Sequence, residues 1–489
     1  MPAVHIQRNA FLILIIGLVL LTLVACENHS SQHLGFNKLE QIRSTGVLKV
    51  LTRQDPTTYY EGPEGLTGLE YDLVQLFAKQ LKVEVEFIFP DSFDAILQDI
   101  AAGKADIAAA GLTVTEERKQ KMRFAPPYQT ITEQVVYRYK RPKTIADLSE
   151  GILEVVKGSS HVATLNRLKK QYPKLEWQEN SKLDSDGLLY LVNVGLIDFT
   201  IADSHQAAII RSYYPKLNIA FNLAEPQHLA WALPLSDDDS LYQEIVRFFQ
   251  KIKQDGTLKA LLEKHYGHIN NLNYVGNCTF RKHVKERLPK YEALFKATAK
   301  KYQLDWRFLA AISYQESHWN PKAVSPTGVK GLMMLTQATA RQLGIKNRLD
   351  PAQSIDGGAR YFKQRLQKIP SRIPEPDRIW FALASYNIGF GHLEDARILA
   401  QKMGKNPDKW LDVKKILPLL SKPKWYKKTK HGYARGREPV RYVENIRSYY
   451  DLLIWLTKDD QIQKNVMIEK EKEIELPPNK ALDVTSPVL

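Results

Sequence analysis

From Gly46 to about Gly267, short apolar runs alternate with amphipathic stretches, the pattern of strands separated by helices. Val47 to Thr52, Val83 to Phe89 and Ile107 to Leu112 read as strands, with helices over Gly68 to Leu81 and Phe93 to Ala102. A second group starts near Gln134 to Tyr139, continues through Ile152 to Val156 and Ile197 to Ala202, and returns at Leu229 to Leu233. Such alternation predicts mainly parallel sheets covered by helices, here as two α/β lobes with a cleft at the hinge.

Beyond Gly267 the period becomes helical, at His283 to Tyr302, Trp306 to Ser317, Thr336 to Leu343, Ile355 to Lys368, Arg378 to Tyr386 and Val443 to Leu456. Gly267 to Arg281, with Asn271, Asn273, Gly276 and Asn277, reads as the linker. After Lys458 the chain turns polar and reads as a mobile tail. A chain of 489 residues has room for this two-part organisation: residues 26–267 in the α/β part and 268–489 in the mainly α part, with the helical core at about 281–458.

The N-terminus carries its own signal. Arg8 precedes a continuous apolar run from Phe11 to Ala25, which is short for a membrane span of roughly 20 residues and fits an export signal over residues 1–25. The run ends Leu23-Val24-Ala25-Cys26, which resembles a bacterial lipobox and implies lipidation of Cys26. Glu27 is not the aspartate associated with inner-membrane retention, so the expected location is the periplasmic face of the outer membrane, against its inner leaflet. A cleaved signal with an incidental cysteine, or an uncleaved anchor, are the other readings. With Cys26 lipidated, Cys278 has no disulfide partner, and stability must come from packed cores.

The net charge of +15 suits an anionic partner. A basic cluster runs from Lys422 through Lys424, Lys427, Lys428, Lys430, Arg435, Arg437 and Arg441. A phospholipid leaflet or an acidic wall polymer fits it, and export argues against nucleic acid. A solvated loop is the plain alternative.

One carboxyl stands out. Asp305 reads as an N-cap for the helix Trp306 to Ser317, and Leu309, Ile312, Ser313 and Glu316 share one face of it. Burial at the end of an apolar stripe disfavours the charged form and raises the pKa, as a general acid near neutral pH requires. Such a position also fits a merely buried, well-paired acid.

Two resemblances organise these residues. Gly103-Lys104-Ala105-Asp106-Ile107, Gly111 to Arg118 and Phe124-Ala125-Pro126-Pro127-Tyr128, with Gly68 to Leu73 and Asp255 to Leu258, resemble the extracellular solute-binding proteins of family 3. That resemblance implies a periplasmic-binding-protein-like two-lobed fold from near Lys38 to Gly267. Arg118 would pair with a ligand α-carboxylate, Thr113, Ser159 and Ser160 would complete that pocket, and Asp203 would hold an α-amino group. The implied ligand is an amino acid or a short peptide, and the fusion makes a wall-derived muropeptide a candidate. Alone, Arg118 could pair with nearby acids and Asp203 could cap a helix.

Glu316-Ser317, Gly328 to Met333, Ala384-Ser385-Tyr386-Asn387-Ile388-Gly389 and Tyr442 resemble, in order, the lytic transglycosylases of the goose-type lysozyme superfamily, glycoside hydrolase family 23. The family often has Gln after its Gly-Leu-Met, where this chain has Met334. The resemblance implies a lysozyme-like α fold, peptidoglycan glycan strands as substrate, and Glu316 as the catalytic residue. Ser317, Ser325, Tyr386, Asn387 and Tyr442 would shape the groove. One carboxyl acting as acid and then base closes a 1,6-anhydro ring on N-acetylmuramic acid, with no metal or cofactor. A hydrolytic lysozyme-like muramidase, or a non-enzymatic receptor that grips the wall, are the rival readings.

Overall fold

The computed structural model describes residues 37–62, 65–269, 274–325 and 328–457. The export signal with Cys26, the middle of the expected linker and the polar tail lie outside the described residues.

The first lobe is a five-stranded sheet in the order Glu84–Ile88, Val47–Leu51, Ile107–Ala108, Ala232–Pro234, Met122–Phe124. Its first three strands are parallel, and Ala232–Pro234 runs antiparallel to both neighbours. The second lobe repeats the plan with Gln178–Asn180, Leu153–Val156, Phe199–Asp203, Glu133–Tyr137 and Asn218–Asn222. There Glu133–Tyr137 is the antiparallel member. The sheets are therefore mixed where alternation suggested mainly parallel ones. The cause is topological: the chain crosses between the lobes out and back, and each crossing strand enters its sheet from the opposite direction. The crossing segments pair as a ribbon, Gln129–Ile131 with Gln227–Leu229.

Local backbone chemistry trims the other expectations. The strand expected over Ile107 to Leu112 stops at Ala108, because Gly111 adopts a left-handed turn, φ 66°, that leads the chain out of the sheet. Pro289 divides the helix expected from His283 to Tyr302 into Tyr274–Glu286, a 3-10 turn at Leu288–Lys290, and Glu292–Tyr302. Helix Tyr274–Glu286 thus already occupies part of the expected linker. Helix Pro351–Lys368 starts earlier than its apolar pattern because Asp350 caps it and Pro351 opens its first turn.

In the second domain, Trp306–Ser317 and Arg437–Thr457 pack against each other at the centre of an apolar core that includes Leu309, Ile312, Phe381, Val443 and Ile446. The C-terminal helix also holds the two domains together. Its Trp455 stacks on Tyr213 of the second lobe at 5.1 Å, and Arg447 donates to the carbonyls of Glu263 and Lys264 at 2.8 Å each. Among the described residues, no helix is long and apolar enough to cross a membrane.

Candidate active site

Helix Trp306–Ser317 begins where the side chain of Asp305 accepts from Arg307 N at 2.6 Å. It ends in two consecutive left-handed residues, His318 (φ 50°) and Trp319 (φ 55°). Trp319 is buried and donates from its indole nitrogen to Ala310 O at 2.9 Å, fixing this reversal. The chain then folds back over the end of its own helix. Gly331 N donates to Ala323 O, and Lys330 bridges to Leu335. Gly331 can be nothing else: its φ is +85°, and a Cβ there would lie 1.8 Å from Arg348 O.

This Gly-Leu-Met turn is tied to three helices. Leu332 O accepts from Ser313 at 3.1 Å and from Ser317 at 2.9 Å. Met333 N donates to Ser354 at 3.1 Å, and Met333 O accepts from the Tyr386 hydroxyl at 3.2 Å. Met333 packs onto Gly358 so closely that a Cβ there would meet it at 2.5 Å. Adjacent glycines cost helix stability, so Gly357-Gly358 inside a helical pattern was a readable sign of such close approach. Ser354 and Ser313 carried no comparable sign, because serines inside helices are common.

Glu316 sits under this roof, partly open to solvent. The Tyr442 hydroxyl donates to its Oε1 at 2.5 Å. Burial pushes the Glu316 carboxyl up to about 7, and the Tyr442 hydrogen bond opposes the rise. Among the described residues no second carboxylate or cation adds to that balance. Tyr442 stacks on Tyr386, with ring centres 6.3 Å apart, and Tyr386 meets Tyr361 edge-on at 5.0 Å. The structure thus brings Ser317, Tyr386 and Tyr442 together around Glu316. Asn387 is exposed at the end of helix Asp377–Ile388, and Ser325 accepts from Val329 N at 3.3 Å.

The residues expected to bind a ligand in the first domain also converge, but on one another. Arg118 donates to Thr113 O at 2.8 Å within its lobe and to Gly158 O at 2.9 Å across the cleft. Burial lowers its pKa to about 10, against the pull of Asp203. Ser160 donates to Thr113 Oγ1 at 3.3 Å, and Ser159 Oγ is buried without a partner. Asp203 is taken by His161 at 3.1 Å. Burial alone would raise the Asp203 carboxyl, yet the His161 hydrogen bond and charge hold it below the usual range. His161, next to the matched serines, is the member that the sequence reading passed over. A cavity of about 1610 Å³ opens between the lobes and the second domain, lined by Arg53, Asp55, Phe93, Asp184, Arg447 and Trp455 among others.

The comparisons with known proteins follow the same division. Residues 48–268 match the family model of bacterial extracellular solute-binding proteins, family 3, and residues 293–409 match the transglycosylase SLT domain. Solved structures similar to this chain include an ancestral arginine-binding protein bound to arginine, at 26% identity and TM-score 0.42, covering 45% of this chain and 98% of that one. A cysteine-binding protein from Campylobacter jejuni matches at 19% identity and TM-score 0.43, covering 49% and 98%. A membrane-bound lytic murein transglycosylase F from Saccharophagus degradans is 51% identical over 425 residues, 86% of this chain and 85% of that protein. The one from Pseudomonas fluorescens is 49% identical over 423 residues, 86% and 87%. With identity near one half across most of both chains, and both domain families in order, the chain belongs to the membrane-bound lytic murein transglycosylase F family and is a murein-degrading lytic transglycosylase behind a solute-binding-type domain.

Proposed function

We propose that Glu316 alone carries both proton transfers of this reaction. The observation that supports it most is the raised carboxyl, about 7, with a single hydroxyl partner and no neighbouring charge among the described residues. A group near neutrality serves about equally well as donor and acceptor in one turnover. In the first step, protonated Glu316 donates to the oxygen between N-acetylmuramic acid and N-acetylglucosamine as the C1–O bond breaks. The substrate's N-acetyl carbonyl supports the anomeric centre, as in substrate-assisted glycosidases. In the second step, ionised Glu316 takes the proton of the muramyl C6 hydroxyl while that oxygen bonds to C1. The 1,6-anhydro ring closes and Glu316 is protonated again.

Tyr442 has a defined task in this cycle. Its hydroxyl stabilises the carboxylate form, keeping the pKa from rising past the range where Glu316 can act as a base. Ser317 holds the Gly-Leu-Met turn against the Glu316 helix, Tyr386 ties it to helix Asp377–Ile388, and Ser325 and Asn387 would contact the sugars in this reading. Carbon-13 NMR of the Glu316 carboxyl tests this reading. A titration midpoint near 7 supports it, and one near the ordinary value of about 4.3 contradicts it.

The first domain, in our reading, binds a small zwitterion or a muropeptide through Thr113, Arg118, Ser159, Ser160 and Asp203 once the lobes open. Calorimetry on the full chain with free amino acids and stem peptides tests this, and absence of any heat contradicts it. Export with lipidation at Cys26 would hold both domains at the periplasmic face of the outer membrane. Mass analysis of the mature N-terminal peptide reads that directly.

A further inference from the structure

Residues 422–441 contain eight Lys or Arg and a single acid, Glu438. Of these cations, Arg435 pairs with Glu438, and among the described residues no acid pairs with the other seven. Such a density of unpaired positive charge costs self-repulsion, and it is not relieved by looseness, because the segment is pinned. The buried Asp395 carboxylate accepts from Lys430 N at 3.1 Å and from His431 N at 2.9 Å. Ala434 N bonds Leu420 O, and Gly436 lies so close to Leu417 O that a Cβ would sit 1.6 Å from it. Trp425 packs on the core with Lys424 and Lys428 over its ring, at 5.7 and 6.0 Å. The lysines are thus held outward on a fixed platform.

Its position matters as much as its charge. The segment runs directly into helix Arg437–Thr457, whose Tyr442 bonds Glu316. On its other side, His431 rests on Gly391, just past the exposed Asn387. The platform therefore adjoins both the helix that carries Tyr442 and the start of the helix that follows Asn387. A bilayer surface would match the charge, but seating this platform on headgroups would press the cleft mouth against the membrane and shut out a glycan strand. A murein strand meets both requirements, since its peptide stems carry ionised carboxyls at regular intervals along the sugar chain.

We propose that the Lys422–Arg441 platform is an anion-binding wall of the groove, which takes stem-peptide carboxylates as the glycan runs past Glu316. This rests on Glu316 being the site of cleavage. The substrate class it selects is peptide-bearing, carboxylate-rich murein over stripped or neutralised glycan.

The test compares native sacculi with sacculi whose carboxyls have been capped as methylamides by carbodiimide coupling. The full-length protein should show a KM about tenfold lower on native than on capped sacculi at low salt, with the difference fading at 1 M salt, where the Debye length is about 3 Å. Replacing Lys424, Lys427, Lys428 and Lys430 together by Gln should bring that ratio toward one, and replacing the same four by Arg should restore it. A ratio that the Gln variant leaves unchanged overturns the proposal. So does a Gln variant that loses binding to phosphatidylglycerol vesicles while keeping its KM on sacculi, which would mark a lipid surface. Glu316→Gln run alongside separates the two layers: if it still cleaves, the placement of the cleavage site fails, whereas an inactive Glu316→Gln beside an indifferent lysine variant removes only the platform.

Discussion

Glu70 and Glu316 both have carboxyls raised by burial, and they sit in different company. Glu70, in the core of the first lobe, accepts from Tyr128 at 2.5 Å, Trp231 Nε1 at 2.7 Å and Gly111 N at 2.8 Å. Among the described residues, Glu316 accepts from Tyr442 alone, and it keeps an opening to solvent. Three fixed donors and no exit make Glu70 a strut between the sheet and the crossing segments. One donor and an open side leave Glu316 able to gain and lose a proton. A raised pKa by itself therefore identifies burial, and the count of donors together with access to solvent separates the proposed acid from the strut.

Exchanging each carboxyl for an amide separates the two most sharply. Glu316→Gln should cut turnover of sacculi by about 10³-fold, within the range general acid–base catalysis supplies, with no loss of melting temperature. Glu70→Gln should do the reverse, costing about 1–3 kcal/mol of stability because the amide nitrogen faces donors, while folded molecules still cleave. The pH dependence has a fixed sign. Since the folded pKa of Glu316 lies above its unfolded value, its contribution to stability is complete below about 4.5 and is lost as pH rises through about 7. With protonated Glu316 as the proposed donor, kcat/KM should be level on the acid side and fall above about 7. Tyr442→Phe removes the hydrogen bond that opposes the rise, so that limb should move to higher pH while the rate drops about 10- to 100-fold for want of a bond to the charged form. The smallest effect is expected at Ser317→Ala, about 0.5–1.5 kcal/mol in a urea melt, because Leu332 O keeps its bond from Ser313.

The setting of Glu316 was legible in the sequence, because the N-cap at Asp305 and the apolar stripe already place a carboxyl at the end of a packed helix. The two-lobed α/β layout was legible from strand and helix periods alone. Strand direction was not, since the hydrophobic pattern of Ala232–Pro234 is the same whichever way it enters the sheet. Helix Phe390–Lys402 escaped notice because its buried face includes Asp395 and Arg397, which periodicity counts as polar, and Trp410–Ile416 because its 7 residues are too few to show a helical period. The closure of the first-domain pocket could not be read either, because Arg118 finds a backbone carbonyl at Gly158, and a backbone partner leaves no mark on residue type.

The seam between the domains sharpens the same contrast. The C-terminal helix carries Tyr442 against Glu316 near its start and Arg447, Ser448 and Trp455 against the binding domain further along. Glu70 has no such connection, being locked within one lobe.

The central claim is that one carboxyl delivers a proton and then withdraws one from the substrate's own C6 hydroxyl, with water taking no part. Mass spectrometry of the fragments released from sacculi reads this directly. The account predicts muropeptides that end in 1,6-anhydro-N-acetylmuramic acid, lighter by one water than hydrolytic products and without oxygen-18 when the digestion is run in labelled water. Reducing-end products that carry the label would contradict it.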